Sequence, residues 1–192
     1  MKAPASIETT RLVLRRPSTR DAEAIFARYA GDPDVTRFVG WPRHQSVADT
    51  RAFLDFSDAE WEQWPAGPYL IESRADGTLL GGTGLGFETH YRAVTGYVLA
   101  KDSWNHGYAT EALQAMIELA GQLGVARLYA LCHTRHRASW HVLEKCGFTR
   151  EGTLQQHSKF PNLAERGPSD VFCYARVIGA VSGTGPRSSR DL

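Results

Sequence analysis

Apolar positions follow two rhythms along this chain. Strand-length apolar runs occur at Leu12–Arg15, at Tyr97-Val98-Leu99-Ala100 and across Arg127–His133, and Pro17 closes the first of them. A helical rhythm follows the second run, where Ala112, Leu113, Met116, Ile117, Ala120 and Leu123 share one face. Two earlier helices are predicted. One covers 20–30, capped by Ser18 or Thr19 and stopped by Gly31-Asp32-Pro33; the other covers 47–63, capped by Ser46. A short helix over 138–145 meets Gly147 at the position after a helix end that glycine favours. The stretches 68–73 and 78–87 read as an antiparallel pair, with Asp76-Gly77 as the turn signal. Two last strands start at Phe148 and span 170–177, separated by a polar, proline-bearing loop over 155–169. Residues 1–10 read as an untethered lead-in, and 179–192, rich in Gly, Ser, Pro and Arg, as a disordered tail.

Composition narrows the classes. The 192 residues suit one domain with a core of its own. A net charge of +1, from 22 basic and 21 acidic residues, gives no global field for nucleic acid or a membrane surface. The three cysteines, Cys132, Cys146 and Cys173, have neither metal nor redox spacing, which fits free thiols in a reducing compartment. No apolar run has signal-peptide or membrane-spanning character, so a soluble cytoplasmic protein is expected.

The stretch that carries chemistry runs from Gly96 to Leu123. Its strand feeds a turn, Ser103-Trp104-Asn105-His106-Gly107-Tyr108-Ala109-Thr110, that opens directly into the helix. A helix start leaves N–H groups unpaired, and its dipole adds positive charge there, so the corner suits a pyrophosphate. Gly107 lets a ligand approach the backbone closely.

This corner resembles the GNAT superfamily of N-acetyltransferases. The family pattern Gln/Arg-x-x-Gly-x-Gly/Ala is matched by Trp104-Asn105-His106-Gly107-Tyr108-Ala109 except at its first position. The Trp followed by Gly-Tyr-Ala-Thr-Glu-Ala resembles the RimJ/RimL-like branch, named for ribosomal-protein N-terminal acetyltransferases. A second family motif, Asn-x-x-Ser followed by Leu-Glu-Lys-x-Gly-Phe, is similar to His136-Arg137-Ala138-Ser139 and Leu143-Glu144-Lys145-Cys146-Gly147-Phe148. The resemblance covers 9–178 as a single domain. It implies an α/β (α+β) fold of the acyl-CoA N-acyltransferase type, with a central mixed sheet of about seven strands flanked by helices.

The resemblance also implies the site. Acetyl-CoA is the expected cosubstrate. Backbone groups of Tyr97, Val98 and Leu99 pair with its pantetheine arm, and amides of Asn105, His106, Gly107, Tyr108, Ala109 and Thr110 grip its pyrophosphate. Ser139 matches the serine that sits near the sulfur in some relatives, where a hydroxyl can protonate the thiolate; a helix-start role bonding backbone is the alternative. His136 stands where the family has Asn and keeps one hydrogen-bond donor. The segment between the first two helices walls the acceptor site in the family, which makes Phe38 and Trp41 substrate-contact candidates, with Trp61 and Trp64 behind them. Ordinary packing is the competing role for each.

The base is less defined. Many members of the branch carry Glu before the Gly-Tyr of the cofactor strand, but this chain has Val94. Glu88, His90 and His133 are the nearby candidates, and water is another. Arg135, Arg137 and Lys145 are candidates for the cofactor's 3′-phosphate. Gly81, Gly82, Gly84 and Gly86 lack both the spacing and the following helix of a dinucleotide fingerprint; in a strand, glycines mark a bulge or a close approach. His133, His136 and His141 lack a zinc-site spacing, so no metal is expected.

The expected reaction is acetyl transfer to a primary amine, on a protein N-terminus or a small molecule, by direct attack in a ternary complex. A non-catalytic acyl-CoA-binding sensor is the alternative, kept open by Val94 and His136. An acidic pocket built from Glu60, Glu62 and Glu88 would favour a cationic small molecule, and an open groove a peptide end. The amine acceptor is the implied partner, with a homodimer as a further candidate and no nucleic acid or membrane.

Overall fold

The computed structural model describes residues 1–165 and 167–179; all of the expected tail except Gly179 lies outside the described residues. Eight strands form one sheet: β1 (Ser6–Glu8), β2 (Leu12–Arg15), β3 (Pro68–Ser73), β4 (Leu79–Thr89), β5 (Arg92–Leu99), β6 (Arg127–His133), β7 (Thr149–Lys159) and β8 (Pro168–Val177). Their order is β1-β2-β3-β4-β5-β6-β8-β7. Every neighbouring pair is antiparallel except β5 with β6, which is parallel. The sheet is therefore mixed, as expected, with one strand more than the sequence indicated.

That extra strand corrects the reading of residues 1–10. They are tied down. The Lys2 ammonium donates to the carbonyls of Trp61, Glu62 and Trp64 at 2.6, 3.0 and 2.7 Å, capping the C-terminal end of a helix with a cation where the dipole favours one. Ala3 N–H bonds Pro65 O, and the Tyr69 hydroxyl donates to Pro4 O at 2.7 Å. These partners are some sixty residues away in the chain, which is why local pattern did not reveal them.

The capped helix is α2 (Val47–Gln63), the second of four. At its start Asp49 accepts the N–H groups of Gln45 and Ser46 at 2.8 and 3.1 Å, so the predicted Ser46 cap is present. The first helix, α1 (Ala22–Ile25), does not run on regularly to 30; Phe26–Ala30 is a π turn, closed by Gly31 N–H bonding Phe26 O five residues back. The remaining helices are α3 (Tyr108–Gln122) and α4 (Arg137–Lys145).

Two apolar clusters sandwich the sheet. On one face Leu113, Met116 and Ala120 of α3 pack with Leu85, Leu99, Leu128 and Tyr97. On the other, Ile25 and Tyr29 of the α1 segment and Leu54 of α2 pack with Leu70 and Val98. Alternate residues of β5 therefore face opposite layers, Tyr97 and Leu99 toward α3, Val98 toward α1.

Candidate active site

The site begins where the sheet comes apart. β5 and β6 pair only through Arg92–Arg127, Ala93–Leu128 and Val94–Tyr129. Beyond Val94 the two strands diverge. On its other edge β5 stays bonded to β4, with Ala100 N–H donating to Leu80 O. Backbone groups alternate sides along a strand, so those of Tyr97 and Leu99 point into the gap. Leu99 O accepts the Trp104 indole N–H at 2.8 Å; among the described residues the Tyr97 groups have no strand partner on this side.

The gap leads to the start of α3. Asn105 and Gly107 both take positive φ, 63° and 80°, and Gly107 is the N-cap. The first helical bond is Glu111 N–H to Gly107 O, so the N–H groups of Tyr108, Ala109 and Thr110 lie ahead of it, with no side-chain cap. The corner is braced from below. Glu111 accepts from Thr9 Oγ1 at 2.6 Å, Arg11 N at 2.8 Å and Arg11 Nε at 2.7 Å, while Arg11 Nη1 donates to His106 O at 2.9 Å. Burial alone would raise the Glu111 pKa, but the bonds from Thr9 and Arg11 outweigh it and hold the carboxyl below its usual range.

On the α1–α2 side a cavity of about 1010 Å³ opens over the same strands. Its floor explains the glycines. Gly82, Gly84 and Gly86 pair with Val98, Gly96 and Val94, and all six residues line the cavity. A Cβ at Gly82 would stand 3.3 Å from the Tyr29 hydroxyl, one at Gly84 would meet the Pro68 backbone at 2.9 Å, and one at Gly96 would meet nothing within 4 Å. Close approach, rather than a nucleotide loop, is what Gly82 and Gly84 serve, while Gly96 leaves open space.

Phe38 and Trp41 line the cavity. Trp61 and Trp64 do not: Trp61 packs edge-on to Tyr69 and donates to Pro68 O at 2.9 Å, and Trp64 stacks on Phe87. Ser139 also lines it, and the Tyr97 hydroxyl donates to Ser139 O at 2.7 Å with Ser139 Oγ 3.2 Å away.

His133 and His136 meet across Phe38, with ring centroids 5.0 and 4.9 Å from it. His133 Nδ1 accepts the Arg135 N–H at 3.1 Å, so in the neutral ring the proton sits on Nε2. Burial, then the Arg135 charge, lowers its pKa. His136 is pushed down to about 4, by burial first and by His133 second. Between pH 6.5 and 4 the unfolded chain thus binds a proton at this residue that the folded chain refuses, and stability falls as pH falls. Urea unfolding at pH 7 and pH 4.5 should show His136→Asn losing less stability on acidification than wild type, by about 1–2 kcal/mol.

Other expected residues lie elsewhere. Glu88 does not line the cavity. Its carboxylate accepts from the Tyr129 hydroxyl and pairs with Arg92 at 2.6 Å, so both ends of the short β5–β6 seam engage it. His90 sits edge-on to Trp64, also outside. Of the three acidic residues expected to form a pocket, Glu60 alone lines the cavity. Arg135 is paired with Glu165, and Arg137 and Lys145 stand at opposite ends of α4, so the three make no common phosphate patch. The cavity brings in residues the sequence reading missed: Tyr29, His44 and the threonines of β4 and β5, Thr83 and Thr95.

The gap between parallel strands empties onto an uncapped helix start, with a glycine-floored chamber beside it, a geometry that suits a long phosphate-bearing ligand. Residues 11–149 match the family described as acetyltransferase (GNAT) domain. The chain is 32% identical over 154 residues to the uncharacterized N-acetyltransferase YoaA of Bacillus subtilis (strain 168), covering 79% of this chain and 86% of that protein. Its fold is similar to that of a GNAT-family acetyltransferase from Bacillus anthracis, with a TM-score of 0.77, 25% identity, and 90% and 98% of the two chains covered. It is also similar to that of RimL, a ribosomal L7/L12 alpha-N-protein acetyltransferase in complex with coenzyme A, with a TM-score of 0.81, 23% identity, and 91% and 99% covered. The chain belongs to the GNAT acetyltransferase family and is an N-acetyltransferase.

Proposed function

We propose that the protein transfers an acetyl group from acetyl-CoA to a primary amine by direct attack in a ternary complex. The observation that carries this reading is the gap at β5–β6, with the Tyr97 backbone unpaired along it and the bare N–H groups of α3 at its mouth. A pantetheine arm fits the first as an added strand, and a pyrophosphate fits the second. RimL, an alpha-N-protein acetyltransferase whose structure is in complex with coenzyme A, supports the amine class.

Acetyl-CoA supplies the activated acyl group. The residues do the rest. Backbone groups of Tyr97 to Leu99 align the arm, and amides from Asn105 to Thr110 hold the phosphates. Ser139, bonded to the Tyr97 hydroxyl, is the proton source for the departing sulfur. His136 closes the chamber beside it as a neutral ring. With Val94 apolar and Glu88 outside the chamber, water carries the amine's proton, and positioning supplies most of the rate. Among the described residues no helix is long and apolar enough to cross a membrane. The reading sets the protein in the cytoplasm, where acetyl-CoA and reduced thiols coexist.

Thermal unfolding with acetyl-CoA, joined to an assay for amine-dependent release of the coenzyme thiol, is the test. A ligand of the folded state at about a hundred times its Kd adds roughly 2.7 kcal/mol of stability. No rise in melting temperature at saturating acetyl-CoA would sink the proposal.

A further inference from the structure

We infer that the acceptor is a small primary amine on a flat apolar or aromatic frame, seated on the α2 wall of the chamber with its nitrogen at the Tyr29 hydroxyl. The inference rests on the acetyltransfer reading and names the substrate class of that same site.

Tyr29 is the anchor. It is 4% exposed, yet among the described residues its hydroxyl has no hydrogen-bond partner, and it faces the cavity above Gly82. The ring is buried but the hydroxyl oxygen opens onto the cavity, where an amine can take the place of the water such a group bonds. The π turn at Phe26–Ala30 is what departs from regular helix at this residue, and such turns recur at functional sites.

The wall opposite is apolar. Asp49, Phe53, Phe56 and Glu60 fall at helical spacing on one face of α2 and line the cavity. Phe56 is 55% exposed, a large ring left uncovered at the chamber's edge. Trp41 and His44 continue the aromatic lining, 5.2 Å apart. The Asp49 carboxylate is consumed by the helix cap, which leaves Glu60 as the lining carboxylate without a partner among the described residues. A polycation requires several carboxylates, so this lining does not suit one.

One rim of the chamber is tied across its loops. Asn162, in the β7–β8 loop, donates to Thr36 O and Trp41 O at 2.7 and 2.9 Å and accepts the Arg43 N–H at 2.8 Å. Those three bonds staple one acceptor-side loop to the other. A compact amine fits behind them.

In this arrangement the Tyr29 oxygen accepts one N–H of the neutral amine, which leaves the nitrogen lone pair free for the acetyl carbon. The nitrogen–carbon bond forms, the carbon–sulfur bond breaks, and the proton shed by nitrogen ends on the departing sulfur. Burial raises the phenol's pKa, so Tyr29 stays protonated and orients the amine without taking its proton.

The test uses the full chain with saturating acetyl-CoA and follows thiol release with 2-phenylethylamine, spermidine and a tetrapeptide bearing a free serine α-amine. The kcat/KM for 2-phenylethylamine should exceed the others by about tenfold or more, and Phe56→Ala should raise its KM by about fivefold. Tyr29→Phe, which keeps the ring and the packing, should lower kcat/KM for that amine about tenfold with the KM for acetyl-CoA unchanged. Preference for spermidine or the peptide overturns the inference, as does a Tyr29→Phe variant equal to wild type, or turnover of none of the three by protein that binds acetyl-CoA. Absence of acetyl-CoA binding to wild type would instead overturn the acetyltransfer reading beneath it.

Discussion

Gly107→Glu is expected to fold and to lose acetyl-CoA, with the ligand-induced rise in melting temperature abolished. Three effects act together. Gly107 holds φ at 80°, where a residue with a Cβ loses about 1–2 kcal/mol. The new carboxylate would occupy the anion position at the start of α3, where the bare N–H groups and the helix dipole attract negative charge. A Cβ there also lies 3.4 Å from Arg11 Nη2, so the carboxylate gains an internal cation partner and competes for the space a phosphate needs. A loss of at least about a hundredfold in affinity, near 2.7 kcal/mol, is the expected result by calorimetry. Gly107→Ala carries the strain without the charge. It should be destabilised by a similar amount yet retain most of the binding, which separates the two contributions.

Gly96→Leu should do the reverse: keep acetyl-CoA and lose the acceptor. Gly96 has no positive φ, lines the chamber, and a Cβ built on it meets nothing within 4 Å. The substitution is therefore unstrained, and in a strand interior replacing glycine reduces the unfolded chain's freedom, so stability should hold or rise by about 0.5 kcal/mol. The leucine branches, however, project into the space where the amine must stand, above the floor that Gly82 and Gly84 keep bare. Turnover depends on the amine reaching a near-attack geometry, and an obstruction there should cost about a hundredfold in kcat/KM. Unchanged amine turnover in Gly96→Leu would remove this chamber from the reaction.

Much of this was readable before any coordinates. The corner at Trp104–Thr110 declared itself because local signals agreed: an apolar run, a glycine, then a 3.6-residue rhythm. Positions farther apart were harder. β5 begins at Arg92, five residues ahead of the apolar run, since its first half carries an exposed arginine and leads to Gly96. β7 continues to Lys159, through what reads as loop, because its partner β8 supplies the pairing across an irregular register near Gln156. The alternate glycines of β4 were visible, but their purpose depends on the register that sets Gly84 opposite Gly96. Glu88 misled for a related reason. It stays beside the cofactor strand, but its carboxylate is taken up by Arg92 and the Tyr129 hydroxyl at the β5–β6 seam rather than lining the cavity. Tyr29 gave no signal at all, because its place over Gly82 depends on the π turn and on packing between distant segments.

The short β5–β6 junction gives the sheet a mechanical character. Strands β1 to β5 form one plate and β6, β8 and β7 another, and the direct seam between them is three residue pairs long. Across the rest of the boundary the plates are held by side chains, Leu85 and Leu99 of one sharing a cluster with Leu128 and Tyr174 of the other. A ligand laid in the opening would supply backbone pairing where the strands part, working as a splint across the molecule's own fold line.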